Sequence, residues 1–292
     1  MMMKKTLALT LTVLTLCMVL SGCSNSAPVS SSAKETGSKL VAGVLEQNSV
    51  EESSRKHFVQ AKVDREVVRK QIEYKAFSSL NTMLMELKAG RVDYLQLPSS
   101  VGNYLAASNN KLIVETRENS LQHYHMAARA DDTALIGEIN NAIHALKADG
   151  TLDKLAADYI TNTHGAPTAN ALVKHEDAKT YVVAVTGDLP PLDYVSADGT
   201  PAGFNVALLN AISEKTGCNF NIVQMDAAAR LSALESRKID LIFWIGCFSS
   251  EGFEPKTDDV CLSTPYFEES ICSVGHSADI LDKAMSIYQK AN

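Results

Sequence analysis

Apolar residues recur along this chain with two periods that take turns. Leu80, Met83, Leu84 and Leu87 stand at i, i+3, i+4 and i+7, one face of a helix. A basic turn, Ala89-Gly90-Arg91, follows, and Asp93 to Leu97 then reads as a strand. The same succession returns later. Leu87-Lys88-Ala89-Gly90-Arg91-Val92-Asp93-Tyr94-Leu95 and Leu234-Glu235-Ser236-Arg237-Lys238-Ile239-Asp240-Leu241-Ile242 match as Leu, spacers, a basic turn, an aliphatic residue, Asp and an apolar run. Each predicts the end of a helix, a tight turn and a buried strand, the second strand running from Ile239 to Ile245.

Similar units fill the remainder. Lys39 to Leu45, Tyr181 to Val185 and Phe220 to Val223 are strand patterns. Asp131-Asp132-Thr133 opens a helix that buries Leu135, Ile139, Ala142 and Leu146 and stops at Gly150, after which Thr151 caps another with Leu152, Leu155 and Tyr159 inward. Val206, Leu209 and Ile212 form a helix closed by Gly217, and Asp279 to Lys290 forms the last helix. Helix and strand alternate throughout, which predicts an α/β protein.

The beginning of the chain breaks this rhythm. Lys4-Lys5, the apolar run Leu7 to Leu20 and Leu20-Ser21-Gly22-Cys23 form a secretion signal (1–22) with a small-residue cleavage site. The run falls short of the roughly 20 residues that span a bilayer. Small residues before Cys resemble the bacterial lipoprotein motif, which implies that Cys23 is lipidated and holds the protein on the membrane by acyl burial. Residues 23–38 are Ser-rich and read as a flexible tether. A net charge of −7 without a basic stripe argues against nucleic acid. Of the six cysteines, Cys247 and Cys261 flank a polar loop, Ser249 to Asp259, and are the candidate disulfide pair. No CxxC spacing suggests zinc, and His123 with His125 lack a neighbouring carboxylate or Cys, so no metal or other cofactor is expected.

Gly187-Asp188-Leu189-Pro190-Pro191-Leu192-Asp193-Tyr194, then Asp198-Gly199-Thr200-Pro201-Ala202-Gly203-Phe204-Asn205, the second repeated unit and Thr264-Pro265-Tyr266-Phe267 follow one another. That run resembles the first lobe of extracellular solute-binding proteins of the amino-acid-binding type (family 3), which serve ABC importers. The first repeated unit, followed by Gly150-Thr151-Leu152-Asp153-Lys154-Leu155, resembles the second lobe and closing helix of the same family. The resemblance implies a two-lobed periplasmic-binding-protein-like type II fold, circularly permuted so that the second lobe comes first. The implied organisation is a second-lobe segment at 39–126, return helices at 127–161, a linker at 162–180, a first-lobe segment at 181–271 and a hinge crossing with the C-terminal helix at 272–292. Two incomplete halves of a longer array are the alternative, but each expected piece occurs once.

The resemblance also locates a ligand cleft, between loops at the C-terminal ends of the strands. Asp188 to Pro191, Asp226 to Ala229 and Trp244 to Ser250 would face Gln47 to Ser49 and Leu97 to Ser100, with His123 to Arg129 and Glu269 to Ser273 as crossings. The candidate ligand-binding residues are Asp188, Leu189, Trp244, Ser49, Gln96 and Arg230. Trp244 offers stacking or is a core residue; Ser49 offers an anion site or a helix cap; Arg230 and Asp188 meet a charged ligand or form a solvated surface pair. The family's amino-acid signature is missing. Leu189 and Leu192 replace an aromatic wall, Ala227 offers nothing to stack on, no Arg occurs after Arg237, and Pro98 stands where an Asp would bind an ammonium.

These readings predict a monomeric, non-enzymatic, lipid-anchored extracytoplasmic receptor that captures a small molecule and delivers it to an ABC permease. A sensory or protein-binding ectodomain with an inactive cleft is one alternative. A secreted dehydratase-like enzyme is another, although the chain has no Gly-x-Ser-x-Gly, HExxH or phosphate-binding Gly loop.

Overall fold

A computed structural model describes residues 39–45, 65–161, 171–196, 198–248 and 260–291, without the side chains at 65, 118, 119, 228, 244, 245, 247 and 248. The expected secretion signal, Cys23, Ser49, the loop 249–259 and residues 162–170 of the expected linker lie outside the described residues.

The chain opens with β1 (Leu40–Leu45), α1 (Arg65–Gln71), β2 (Ile72–Phe77), α2 (Leu80–Lys88), β3 (Tyr94–Pro98) and α3 (Ser99–Ser108). The long strand β4 (Ile113–Arg129), α4 (Thr133–Ala148) and α5 (Thr151–Ala156, running into a π-helical turn at Ala157–Thr161) come next. Then follow β5 (Thr180–Val185), the short strands β6 (Asp188–Leu189), β7 (Asp193–Val195) and β8 (Pro201–Ala202), α6 (Phe204–Thr216), β9 (Asn219–Gln224), α7 (Ala227–Glu235) and β10 (Leu241–Phe248). The described chain closes with β11 (Val260–Leu262), β12 (Phe267–Gly275) and α8 (Ala278–Ala291). This is the expected α/β alternation. One cap differs from expectation: Thr151 does not cap α5, because Asp149 accepts the Thr151 N–H at 2.9 Å and Gly150, at φ 77°, makes the turn.

Among the described residues the main sheet runs β2-β1-β3-β12-β4-β10-β5-β9, with β11 beside β4. β1, β2 and β3 are mutually parallel, as are β5, β9 and β10. Both sets therefore have the order second, first, third strand, then a crossing strand. β1–β3 with α1–α3 and α8 make one lobe; β5, β9 and β10 with α4–α7 make the other. β4 and β12 serve both. The start of β4 pairs with the end of β12 (Ile113 opposite Gly275), and its later part pairs with β10 and with the start of β12 (Tyr124 opposite Phe267). Seventeen residues at about 3.3 Å each give β4 roughly 55 Å, enough to reach through both lobes.

The register fixes the direction of each lobe. β3 is antiparallel to β12 and β10 is antiparallel to β4. The C-terminal ends of both parallel sets therefore point at one another, and the N-termini of α2 and α3 point into the space between them. Loops at such strand ends are where open α/β sheets bind ligands.

The core is largest where helices cover the sheet. Leu80, Met83 and Leu87 of α2 pack with Leu95 and Leu97 of β3, confirming the helical face read from the sequence. In α8, Leu281, Ala284, Ile287, Tyr288 and Ala291 are buried against the other face of β1 and β3, with α1 alongside. Cys218, Cys261 and Cys272 are free thiols. The expected Cys247–Cys261 pair is not formed, and the register explains it. Cys247 stands opposite His123 on the β10 side of β4, whereas Cys261 stands opposite Ala128 in β11. Two strand spacings and five residues along β4 hold their Cα atoms beyond the roughly 7 Å that a disulfide can bridge.

Candidate functional site

The space between the lobes is furnished first by the loop after β5. Gly187, at φ 76°, turns the chain so that its N–H donates to Asp193 Oδ1 at 2.6 Å. Asn205, at the start of α6, donates Nδ2 to Asp193 Oδ2 at 2.8 Å. Asp193 and Asn205 are buried, and burial raises the Asp193 carboxyl above its ordinary range against these hydrogen bonds. The loop is thereby held as one unit with the N-terminus of α6.

Asp188 projects from this unit into the other lobe. Its Oδ2 accepts the Leu80 N–H at 2.8 Å and the Asn81 N–H at 3.4 Å, so it closes the N-terminus of α2. The positive end of the helix favours that carboxylate, yet desolvation prevails and raises its pKa. On the near side stands Arg230 of α7, 1% exposed, donating Nε to the Met225 carbonyl at 3.0 Å. Its charge is offset by Asp193 first, then Asp188 and Asp226. Arg230 and Asp188 are thus not a solvated surface pair, as the sequence suggested they could be: α7 turns the Arg stem inward, and the guanidinium comes to lie behind the β5 loop.

A second carboxylate lies at the N-terminus of α3. Glu269, on β12, accepts the Ser100 N–H at 2.6 Å and the Ser100 hydroxyl at 3.0 Å. Burial lifts its carboxyl to about 7. Aromatic rings flank this point: Phe267 packs on Phe204 at 5.1 Å and on Tyr124 at 6.1 Å, and Phe243 packs on Tyr266 at 5.0 Å.

The other residues singled out from the sequence are distributed differently. Leu189 is completely buried in the main core, so it forms no wall to the space between the lobes in this form. Gln96 donates to the Tyr288 hydroxyl of α8, in a cluster with the hydroxyls of Tyr74 and Tyr94. Trp244 lies on β10, and its side chain is outside the described set; Ser49 lies outside it altogether. His125 Nδ1 meets the Ser263 carbonyl at 2.7 Å and His123 Nδ1 lies 3.4 Å from Glu268. Among the described residues no group of three His, Cys, Asp or Glu side chains is placed to hold a metal ion. Sequence reasoning did not single out Glu269, Asp193 or Asn205. A carboxylate inside a strand that crosses between lobes was the available signal for Glu269; nothing in the sequence paired Asp193 with Asn205.

The matched segment of the chain covers the part of its lobe that carries Asp188, Asp193 and Arg230. A model of the bacterial extracellular solute-binding proteins, family 3, matches residues 181–270. Residues 181–270 are thus similar to that family. ABC transporter arginine-binding protein 1 of Escherichia coli (strain K12) is 33% identical over 86 residues, which is 28% of this chain and 35% of that protein; the chain thus spans about a third of the curated relative it matches. Among solved structures, the ligand-binding component of an ABC-type import system from Staphylococcus aureus aligns with 86% of this chain and 72% of its own at 10% identity and TM-score 0.45. An arginine-bound ArgBP from T. maritima aligns with 87% of this chain and 96% of its own at 12% identity and TM-score 0.43. The matched segment begins at β5 and ends in β12, one residue after Glu269, so α2 and α3, whose N-termini the two carboxylates hold, lie outside it.

Proposed function

We propose that the protein is a lipid-anchored extracytoplasmic receptor that binds a small solute between its lobes and presents it to an ABC importer. The family 3 match over 181–270 is the observation that carries this reading. The facing strand ends, joined by two crossing strands, supply a mechanism: ligand contacts to both lobes favour the closed arrangement over the open one. Strand order supports the further reading that the chain is a circular permutation, since the family-matched lobe follows β1–β3 while each parallel set keeps the same order. The binding positions proposed are Asp188 and Arg230, with Ser49, Gln96 and Trp244 completing them from the neighbouring loops and strands. The named relative is an arginine-binding protein; this chain lacks an Arg beyond Arg237 and an Asp at Pro98, which favours a ligand other than a free amino acid held in the usual manner.

Among the described residues no helix is long and apolar enough to cross a membrane. Attachment through Cys23 is tested by Cys23→Ser, which is expected to release the protein from the membrane fraction. Solute binding is tested by thermal unfolding against a panel of metabolites. One cooperative transition, raised by a single chemical class by about 2.7 kcal/mol at a hundredfold excess over Kd, is expected. A transition that no class shifts would overturn the receptor reading, and two independent transitions would overturn the single permuted unit.

A further inference from the structure

The ladder between the two crossing strands is broken at one place. β12 pairs with β4 as far as Ser270 opposite Leu121 and resumes at Cys272 opposite Thr116, so one residue of β12 faces four of β4. The Ser120 hydroxyl bridges the gap, accepting the Ile271 N–H at 3.0 Å and donating to the Arg117 carbonyl at 2.5 Å. On one side of the break the crossing lies with β10, on the other with β3. Crossing strands bend where ladder bonds are fewest, which places the hinge at Ile271.

Side chains of α3 straddle that break. α3 belongs to the lobe of β3, yet the Ser99 hydroxyl donates to the Ser270 carbonyl at 2.6 Å, and the Ser100 N–H and hydroxyl donate to the two oxygens of Glu269. Glu269 and Ser270 both stand on the β10 side. Among the described residues no Lys, Arg or His offsets the charge of Glu269; its partners are the neutral groups of Ser100. The ionisable groups that sense it are Tyr124 on β4 and Cys272 on β12, both raised by burial and neutral near pH 7. α3 adds only Tyr104, one turn beyond Ser100, and Tyr94 of β3 is turned to α8. Glu268 and His123 meet one another on the opposite face of the sheet.

We propose that Glu269 is a proton-operated clasp on the hinge: protonated, it fastens α3 across the break at Ile271 and keeps the lobes together; ionised, it favours an opened arrangement in which water reaches the carboxylate. The clasp needs two lobes and a hinge, not a solute, so it does not rest on the receptor reading. The neutral carboxyl loses no bond. One oxygen still accepts the Ser100 N–H, and the other, carrying the proton, can donate to the Ser100 hydroxyl. The ionised carboxylate has the positive end of α3 in its favour, but desolvation outweighs that and both Ser100 bonds, holding the carboxyl at about 7 rather than 4.5. Opening restores water and returns it toward 4.5. The closed arrangement is therefore favoured most below 4.5 and loses ground as pH rises to about 7. The 2.5 pH units between the two values correspond to roughly 300-fold in the ratio of open to closed.

The clasp is tested by small-angle X-ray scattering at pH 5 and pH 8, at constant ionic strength and without any solute. The unaltered protein is expected to show the larger radius of gyration at pH 8, where the Ser100 amide should also lose protection from hydrogen exchange once the intrinsic rate is corrected for. Glu269→Gln keeps an acceptor for that amide and cannot ionise, so it should hold the smaller radius at both pH values. A radius independent of pH in the unaltered protein would overturn the clasp, and so would an equal expansion in Glu269→Gln. If Glu269→Gln does not fold, Ser100 exchange in the unaltered protein decides: equal protection at pH 5 and pH 8 sinks the idea. A pH-dependent radius in a protein that no metabolite stabilises would sustain the clasp and overturn the receptor. A stabilising metabolite with an invariant radius would do the reverse.

Discussion

Asp240 holds both backbone groups of Val182: its N–H donates to the Val182 carbonyl at 2.8 Å, and its Oδ2 accepts the Val182 N–H at 2.9 Å. Asp93 does the same to Val41, at 2.7 Å in each direction. These are the two Asp residues of the repeated sequence unit. In each lobe the Asp stands just before the third strand and clamps the first strand beside it, before the parallel ladder takes over. The repeat is therefore a structural device, and its Asp is a ladder-starter rather than a ligand contact.

Asp240 also receives Arg129 Nη2 at 3.0 Å, while Arg129 Nη1 donates to the Ile239 carbonyl at 2.6 Å. Asp240→Ala removes the acceptor for Val182 and a partner of Arg129 together. A loss of about 1–3 kcal/mol is expected in urea unfolding. In a double-mutant cycle with Arg129→Met the two losses should fall short of additive by at least about 0.5 kcal/mol. Strict additivity would show that the pair is not coupled.

Asp193 does most to offset the charge of Arg230 and is the acceptor for Gly187 and Asn205. Asp193→Ala leaves two buried donors unmatched and removes the largest offset to a buried cation. Its expected cost is about 3–5 kcal/mol, against a smaller cost for Asp193→Asn, which keeps one acceptor oxygen. Equal destabilisation of the two variants by urea would show that the charge plays no part.

Glu269 supplies a pH dependence whose sign follows from its raised pKa. Below about pH 4.5 its side chain is protonated whether the chain is folded or not. Between 4.5 and about 7 the unfolded chain releases the proton and the folded chain keeps it, so this group withdraws stability as pH rises and withdraws no more above about 7. Glu269→Gln should flatten the stability profile over that window and be relatively more stable than the unaltered protein at pH 8. An unchanged profile between pH 5 and 7 would count against a buried Glu269 carboxyl.

Gly203 is the residue on which the turn into α6 depends. At φ 106°, a Cβ there would lie 2.5 Å from the Leu192 carbonyl oxygen and 2.7 Å from that of Pro191, the acceptors of the Asn205 and Phe204 amides. Backbone cannot yield as a side-chain tip can. Gly203→Ala is expected to lower stability by about 1–3 kcal/mol and to disturb the amide resonance of Gly187 through Asn205 and Asp193. A thermally neutral variant would contradict this geometry.

The alternation of helix and strand, the buried faces of α2, α4 and α6 and the positions of most strands were legible from apolar spacing alone, because period 3.6 and period 2 are local properties of consecutive residues. The duplicated Leu-to-Asp unit likewise announced two lobes, since each copy carries its own strand start. The site was less legible. Asp188 could be named as a cleft residue, but its partners Leu80 and Asn81 lie more than a hundred positions away in the other lobe. Arg230 reads as a surface charge on a short helix until α7 is docked, and Leu189 reads as a cleft wall until the β5 loop folds it into the core. Glu269 is an ordinary strand residue until the crossing strand brings it to Ser100. Local sequence dictates which segments form helices and strands; which charges lose water, and which helix end they meet, depends on contacts between segments far apart in the chain, and those exist only once the sheet has assembled.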